Sequence, residues 1–401
     1  MLVNRDFYLE KIELFLNKPV IKVLTGMRRV GKSSIIINLI EDLKSKGVNK
    51  KNIIYINKES LEFDFIRDFG SLYKYVKSVL PGNKERKYLI VDEIQEIENW
   101  EKGILSIFSE QLADIIITGS NAHLLSSEIA TYISGRYVEI PVYPLTFSEF
   151  LMFRKQSGSE NNDEEFRMFL KFGGLPGIHL FDGEYAITEY LNSIINTLLL
   201  KDVIRRNNIR DVHFLEKIVQ YLTDNCGNIT SAKSISDFFK SQKIKVSVDT
   251  IQNYIRFLER AFIFYRIQRY DLKGKKYLEY YDKIYMGDIG LRGGIIGYRD
   301  KDISGILENV LFLELKKRGY KVSVGVQEGL EIDFIAEKQH ERIYFQVSRN
   351  LEEERTIKRE FGNLEKIPDN YRKIVLSLDK YFPSDYNGIE HRYLPDFLTD
   401  N

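Results

Sequence analysis

Two short stretches of this 401-residue chain gather the residue types that handle phosphate. Gly26-Met27-Arg28-Arg29-Val30-Gly31-Lys32-Ser33, followed by Ser34, fits the pattern G-x-x-x-x-G-K-[ST] without substitution. Its glycines let the backbone curl so that successive N–H groups face an anion, and a helix opening behind the loop turns its positive end to the same point. Lys32 would reach the β- and γ-phosphate oxygens, and the Ser33 hydroxyl would ligate Mg²⁺. The second stretch, Tyr88-Leu89-Ile90-Val91-Asp92-Glu93, is an apolar run ending in two carboxylates. Asp92 suits the Mg²⁺ water shell, and Glu93 suits the orientation and deprotonation of an attacking water. A third run ends in Thr118-Gly119-Ser120-Asn121, where a small polar side chain would sense the γ-phosphate. Ser120 and Asn121 are both candidates, and Asn121 joins Lys32 and Glu93 in the expected catalytic set. A guanine-reading Asn-Lys-x-Asp is missing, since Asn57-Lys58-Glu59-Ser60 lacks the Asp. A small-molecule kinase would not normally carry a Glu directly after the Asp. The expected ligands are therefore ATP and Mg²⁺, and the expected reaction is hydrolysis.

These residues need a sheet edge to converge on. Apolar runs at Val20–Thr25, Ile53–Ile56, Tyr88–Val91, Ile115–Thr118 and Tyr137–Val142 alternate with amphipathic stretches at Ser33–Leu43, Phe65–Leu80 and Trp100–Leu112. Alternation of this kind predicts right-handed βαβ units around a parallel sheet. Ligands of such sheets bind at the carboxyl ends of the strands, where both phosphate motifs fall. After the linker-like Gln156–Asp163, helices are expected at Glu164–Phe172 and Glu184–Arg206. Three more follow at Phe214–Thr223, Ser234–Ser241 and Asp249–Phe262. A β-hairpin of Phe264–Ile267 with Tyr277–Tyr280 would complete a winged helix-turn-helix. A helix at Leu307–Lys317, strands at Val322–Val326, Glu331–Ala336 and Tyr344–Val347, a helix at Glu352–Leu364 and a strand at Ile374–Leu378 predict a small α/β domain.

Composition bounds the partners. The net charge is only +1, but His213–Lys276 holds 12 Lys and Arg against 6 Asp and Glu. A basic module on a neutral chain has the footprint of a phosphate-backbone partner, and it equally fits a solvated helical surface. The third helix of that module offers Gln252, Asn253, Arg256 and Arg260 as possible contacts to duplex DNA. One cysteine, Cys226, excludes an internal disulfide framework. No apolar run reaches the roughly 18 to 20 residues of a membrane span, and the start is polar too soon for a secretory signal. A cytoplasmic protein is expected.

Taken together, the motifs resemble those of the bacterial and archaeal ATPases whose AAA-type core precedes a C-terminal domain of unknown function. Arg28–Ser33, Asp92-Glu93-Ile94-Gln95 with Trp100, and Thr118–Asn121 carry the resemblance. Ser134-Gly135-Arg136, Tyr143–Phe150, Gly173-Gly174-Leu175-Pro176, Lys201–Ile204, Asp288–Arg292 and Leu307-Glu308-Asn309 extend it over nearly the whole chain. It implies an α/β architecture in four parts. Residues 1–150 would be a P-loop NTPase core of AAA type, and 151–212 a helical subdomain. Residues 213–292 would be the winged helix-turn-helix, and 293–401 a small restriction-endonuclease-like domain. The resemblance also makes Arg136 a candidate arginine finger toward a local or neighbouring γ-phosphate.

In the last domain, Glu308, Asp333 and Gln346 resemble the Mg²⁺-binding set of such endonucleases, but Ser348 stands where their lysine belongs. Ser supplies no positive charge at a scissile phosphate, so a fold without strong nuclease activity is expected. Three functions follow: ATP hydrolysis coupled to DNA, a nucleotide-gated switch for a protein partner, and an ATP-regulated nuclease.

Overall fold

Ile21–Thr25, Tyr88–Asp92 and Asp114–Gly119 are buried along their whole length, as strands covered on both faces must be. The computed structural model describes residues 5–122, 135–155, 162–278, 281–299 and 302–400. Packing divides the chain into two units, Met1–Val142 with Arg260–Phe262, and Tyr143–Glu259 with Ile263–Asn401.

In the first unit β1 (Ile21–Thr25), β2 (Ile53–Asn57), β3 (Tyr88–Asp92), β4 (Asp114–Gly119) and β5 (Tyr137–Pro141) form one parallel sheet in the order β2-β3-β4-β1-β5. Helices Lys32–Ser45, Phe69–Val79 and Trp100–Ser109 connect these strands. Val23, Ile56, Leu89, Val91, Ile104 and Ile117 meet in one core, each contributing about 1.5–3 kcal/mol by leaving water. The second helix starts at Phe69, later than the expected Phe65. Asp68 caps it by accepting from the Ser71 amide at 2.8 Å, which fixes the start at that residue.

The second unit opens with helices Phe147–Lys155, Asn162–Phe172 and Glu184–Thr197. The last of these widens into a π-helical stretch, Leu198–Arg205, where a single regular helix was expected. Helices Val212–Asp224, Ala232–Ser241 and Val248–Arg260 follow. Short strands then come in succession: β6 (Ile229–Thr230), between the first two of those helices, and β7 (Phe264–Ile267), β8 (Arg269–Asp271), β9 (Lys276–Tyr277) and β10 (Asp282–Met286) after the third. Beyond helix Ile303–Lys317 lie β11 (Lys321–Gln327), β12 (Leu330–Lys338) and β13 (Glu341–Val347), an antiparallel meander. Helix Glu354–Glu365 leads to β14 (Arg372–Ser377), parallel to β13, and then β15 (Asp385–Tyr386) and β16 (Ile389–Tyr393). Phe361 and Leu364 of that helix pack on Ile332, Tyr344 and Val375 of the sheet.

The expected hairpin of Phe264–Ile267 with Tyr277–Tyr280 is corrected. β7 pairs instead with β10, which also pairs with β6, giving an antiparallel sheet β6-β10-β7. Residues 279 and 280 of the expected strand lie outside the described residues. β8 and β9 leave this small sheet and join the large one, whose order is β15-β16-β14-β13-β12-β11-β8-β9. The reason is twofold. Ile284, Tyr285 and Met286 are buried, whereas Lys276 and Tyr277 are exposed. In addition, β8 lies parallel to β11 and satisfies an edge that would otherwise stay open. Among the described residues no helix is long and apolar enough to cross a membrane.

Candidate nucleotide site and a second acidic cluster

The loop between β1 and helix Lys32–Ser45 is shaped by positive backbone angles. Gly26 has φ +151°, and a Cβ there would lie 2.2 Å from the Val142 carbonyl oxygen, so no side chain fits. Gly31 has φ +100° and begins the helix without a side-chain cap, leaving its first N–H groups free of one. Arg29, exposed, also takes a positive φ, +72°. Met27 and Val30 are buried, Arg28 and Ser33 half-buried, and Ser34 exposed. Arg5 is buried and donates to the Val30 carbonyl at 2.9 Å.

Lys32 is buried at the bottom of the loop. Its ammonium donates to the carbonyls of Gly26 (2.8 Å) and Met27 (3.1 Å) and lies 3.8 Å from a Glu93 oxygen. Glu93 follows β3 with φ +55° and is 5% exposed. Its Oε2 accepts from Ser120 Oγ at 2.9 Å and from Gln95 Nε2, and the Arg28 guanidinium stands 3.9 Å away. Burial alone would raise the Glu93 carboxyl. Lys32 and Arg28, with hydrogen bonds from Gln95 and Ser120, outweigh it and hold the group below its ordinary value. Asp92, at the end of β3, accepts from the Thr118 hydroxyl of β4, and the Tyr55 hydroxyl lies 3.4 Å from its other oxygen. The Thr118 hydroxyl also accepts from the Glu93 amide at 3.0 Å, so one β4 side chain fixes both acids.

The parallel register thus brings Lys32, Asp92, Glu93 and Ser120 to one edge. Between the two sensor candidates, Ser120 is the side chain on Glu93, and Asn121 is half-buried one residue on. Gln95, Thr118 and Tyr55 were not singled out for a role. Thr118 opens the run Thr118–Asn121 at the end of an apolar strand, and that was its signal in the sequence. Arg136 does not join the site. It precedes β5, is exposed, and its carbonyl accepts from the Ile21 amide at 2.7 Å. Tyr137 pairs with Ile21, the first residue of β1, so Arg136 lies at the edge opposite the loop that follows Thr25. Five residues of strand separate the two edges by ~16 Å. A finger acting on its own chain's loop is therefore corrected.

Ser33 and Asp92 offer a hydroxyl and a carboxylate, the hard oxygen donors that suit Mg²⁺. Gln252, Asn253 and Arg256 are exposed along helix Val248–Arg260, and Arg260 at its end is half-buried. Lys240, Lys243 and Lys245 line an open depression at the turn before that helix.

The second cluster lies between the two sheets of the second unit. Glu308 Oε2 accepts from Tyr285 OH at 2.9 Å and meets the Lys283 ammonium at 3.0 Å. The same ammonium is 2.7 Å from Glu331 Oε1 and 3.8 Å from Asp333 Oδ1. Burial, and then the Glu308 charge, push the Asp333 carboxyl well above its usual range. Gln346 accepts from the Asp333 amide at 2.7 Å and donates to Glu360 at 2.9 Å. Ser348 donates to the Asn350 carbonyl at 2.9 Å.

An AAA-domain family profile matches residues 18–151, and a domain of unknown function matches 163–302. An uncharacterised protein of Haemophilus influenzae is 37% identical over 398 residues, 99% of this chain and 98% of the relative. One of Methanocaldococcus jannaschii is 32% identical over 83% of this chain and 74% of the relative. Among solved structures, a Walker-type ATPase of Pyrococcus abyssi superposes with TM-score 0.53 at 15% identity, covering 74% of this chain and 96% of that one. This last likeness speaks for the fold.

Proposed function

Because the chain belongs to the AAA-type P-loop ATPases, we propose that it binds ATP with Mg²⁺, hydrolyses it, and couples the nucleotide state to duplex DNA. The observation that carries the reading is the convergence of Lys32, Asp92, Glu93 and Ser120 beside a loop too tight for side chains at Gly26. Lys32 rests on two loop carbonyls, neutral acceptors that the β- and γ-phosphate oxygens would replace. Ser33 and Asp92 would hold the Mg²⁺, which neutralises charge on the phosphates. Glu93 would orient a water against the γ-phosphate and take its proton. Ser120 and Gln95 fix the carboxylate for that task, as positioning residues. Lys32 and Arg28 leave Glu93 for the phosphates when nucleotide enters, which removes two cations that hold its basicity down.

The DNA part rests on helix Val248–Arg260, with Gln252, Asn253 and Arg256 exposed along it and three lysines around the turn that precedes it. The three helices with the sheet β6-β10-β7 support reading 213–292 as a winged helix. One observation favours a second reading, a nucleotide-gated switch for a protein partner. The hairpin β8–β9, where a free wing would extend, is tied into the eight-stranded sheet. ATP turnover with and without duplex DNA, at low and moderate salt, separates the two. DNA stimulation that fades steeply with salt supports the first reading, because phosphate contacts are strongly salt-dependent. Turnover indifferent to DNA at both salts leaves the switch.

A further inference from the structure

The restriction-endonuclease-like resemblance asks Glu308, Asp333 and Gln346 to hold Mg²⁺, and the side chains do not fit that task. Gln346 has both ends committed, its oxygen to the Asp333 amide and its nitrogen to Glu360. Asp333 spends one oxygen on the Val347 amide at 2.8 Å. Glu308 Oε2 is shared by the Tyr285 hydroxyl and the Lys283 ammonium. Among the described residues, no three His, Cys, Asp or Glu are grouped so as to hold a metal ion. A cation is nevertheless present among these acids, and it is covalent. Lys283, 2% exposed, places its ammonium against Glu308, Glu331 and Asp333 at 3.0, 2.7 and 3.8 Å.

We propose that the Lys283 ammonium occupies the seat a divalent metal would take in this fold, converting a hydrolytic centre into a fixed ionic fastening between two sheets. The lysine comes from β10 in the three-stranded sheet, while Glu331 and Asp333 stand on β12 of the eight-stranded sheet and Glu308 on helix Ile303–Lys317. One ammonium therefore ties three elements together. The β8–β9 hairpin fastens the same two regions through the backbone. The charge is stable there. Burial opposes it, but Glu308, Asp333 and Glu331 prevail and keep the lysine protonated. Ser348 leaves the endonuclease strand without its lysine, and Lys283 does not restore that role. A catalytic lysine must stand beside the metal to meet a phosphate, whereas this one is enclosed by the carboxylates themselves. The inference is independent of ATP hydrolysis by the first unit.

The test uses the full chain without nucleotide and Mn²⁺ as the probe, followed by electron paramagnetic resonance and thermal denaturation. The wild type is expected to bind no Mn²⁺ at this cluster, and its midpoint should not move on Mn²⁺ addition. Lys283→Met should lower the midpoint, gain one Mn²⁺ per chain, and recover the midpoint when Mn²⁺ is added. Adding Asp333→Asn to that variant should abolish the gain. The proposal is overturned if the wild type binds Mn²⁺ in a way that Asp333→Asn removes, or nicks plasmid DNA with the same dependence. It is equally overturned if folded Lys283→Met acquires no Mn²⁺ site. Should Lys283→Met not fold, the wild-type measurement with Asp333→Asn still decides.

Discussion

Lys32 and Lys283 are both buried lysines facing carboxylates, yet they are held in opposite ways. Lys32 donates to two loop carbonyls, and a Glu93 oxygen stands 3.8 Å from its ammonium. Lys283 has two carboxylates within 3.0 Å and a third at 3.8 Å. A cation resting on neutral acceptors is available to an incoming anion. A cation enclosed by acids is not, because removing it would strand buried negative charge. The contrast teaches which of two similar-looking clusters is a site for a ligand and which is part of the framework. It would also account for the same residue types, Lys with Glu and Asp, serving the two different ends proposed for them in the two units.

The contrast is broken most forcefully at Glu93. Replacing it by Gln should lower ATP turnover by about 10² to 10⁴-fold, the range for loss of a general base, while ATP binding persists. Undiminished turnover in Glu93→Gln would mean that the carboxylate is not the base. Next in size is a buried carboxylate held by backbone amides. Asp288 is buried and accepts from the Gly174 and Gly290 amides at 2.8 and 2.9 Å, and burial raises its pKa to about 6. Asp288→Ala should cost roughly 2–4 kcal/mol in chemical denaturation, since two buried N–H groups lose their acceptor. A loss below about 0.5 kcal/mol would show that water satisfies those amides. Smaller again is Ser120→Ala, which removes one hydrogen bond to the charged Glu93. Turnover should fall about tenfold, with the apparent affinity for ATP unchanged. A rise in KM instead would move Ser120 from positioning the base to binding the nucleotide.

Acid should also separate the two units. Glu93 has a depressed folded value, so its stabilising contribution is present above the ordinary carboxylate pKa and is lost only as pH falls through that lower value. His179 behaves earlier. Burial, and then Arg154, lower it to about 4, while Phe150 and Phe153 pack against its ring. The unfolded chain would take up a proton near pH 6.5, so stability attributable to His179 falls as pH drops from about 6.5 to about 4. Thermal midpoints at pH 7 and pH 5 should therefore converge in His179→Phe relative to the wild type. An unchanged gap would place the acid sensitivity elsewhere.

The first unit was largely legible from its sequence because strand-helix alternation and the glycine spacing are local signals. β1 to β4 fall within a residue or two of their expected positions, and the loop and both acids stand at one edge. What stayed hidden depends on register between distant strands. Thr118 binding Asp92, and Ser120 with Gln95 clamping Glu93, require knowing that β3 and β4 are neighbours. Lys22, in an apolar strand, gave no hint of its buried ion pair with Asp114 across the sheet. The second unit was harder for the same reason. Its helices were readable from apolar spacing, but β8 pairs with β11, more than fifty residues away, and this reassigns the hairpin. Lys283 lies outside every strand expected from the sequence, and its role shows only once β10 and β12 are brought together. Arg136 drew attention through the family resemblance, and the β1–β5 register places it away from its own chain's loop.

The central claim is that the Gly26–Ser33 loop is a phosphate cradle whose lysine would exchange its loop carbonyls for phosphate oxygens. Isothermal titration of the folded chain with ATP and Mg²⁺ tests it most directly. One bound nucleotide per chain is expected, with Lys32→Ala weakening affinity at least about 100-fold, since a desolvated charge contact to phosphate is lost. A folded wild type that binds no purine triphosphate, or a Lys32→Ala variant that binds ATP as tightly as the wild type, would contradict the account.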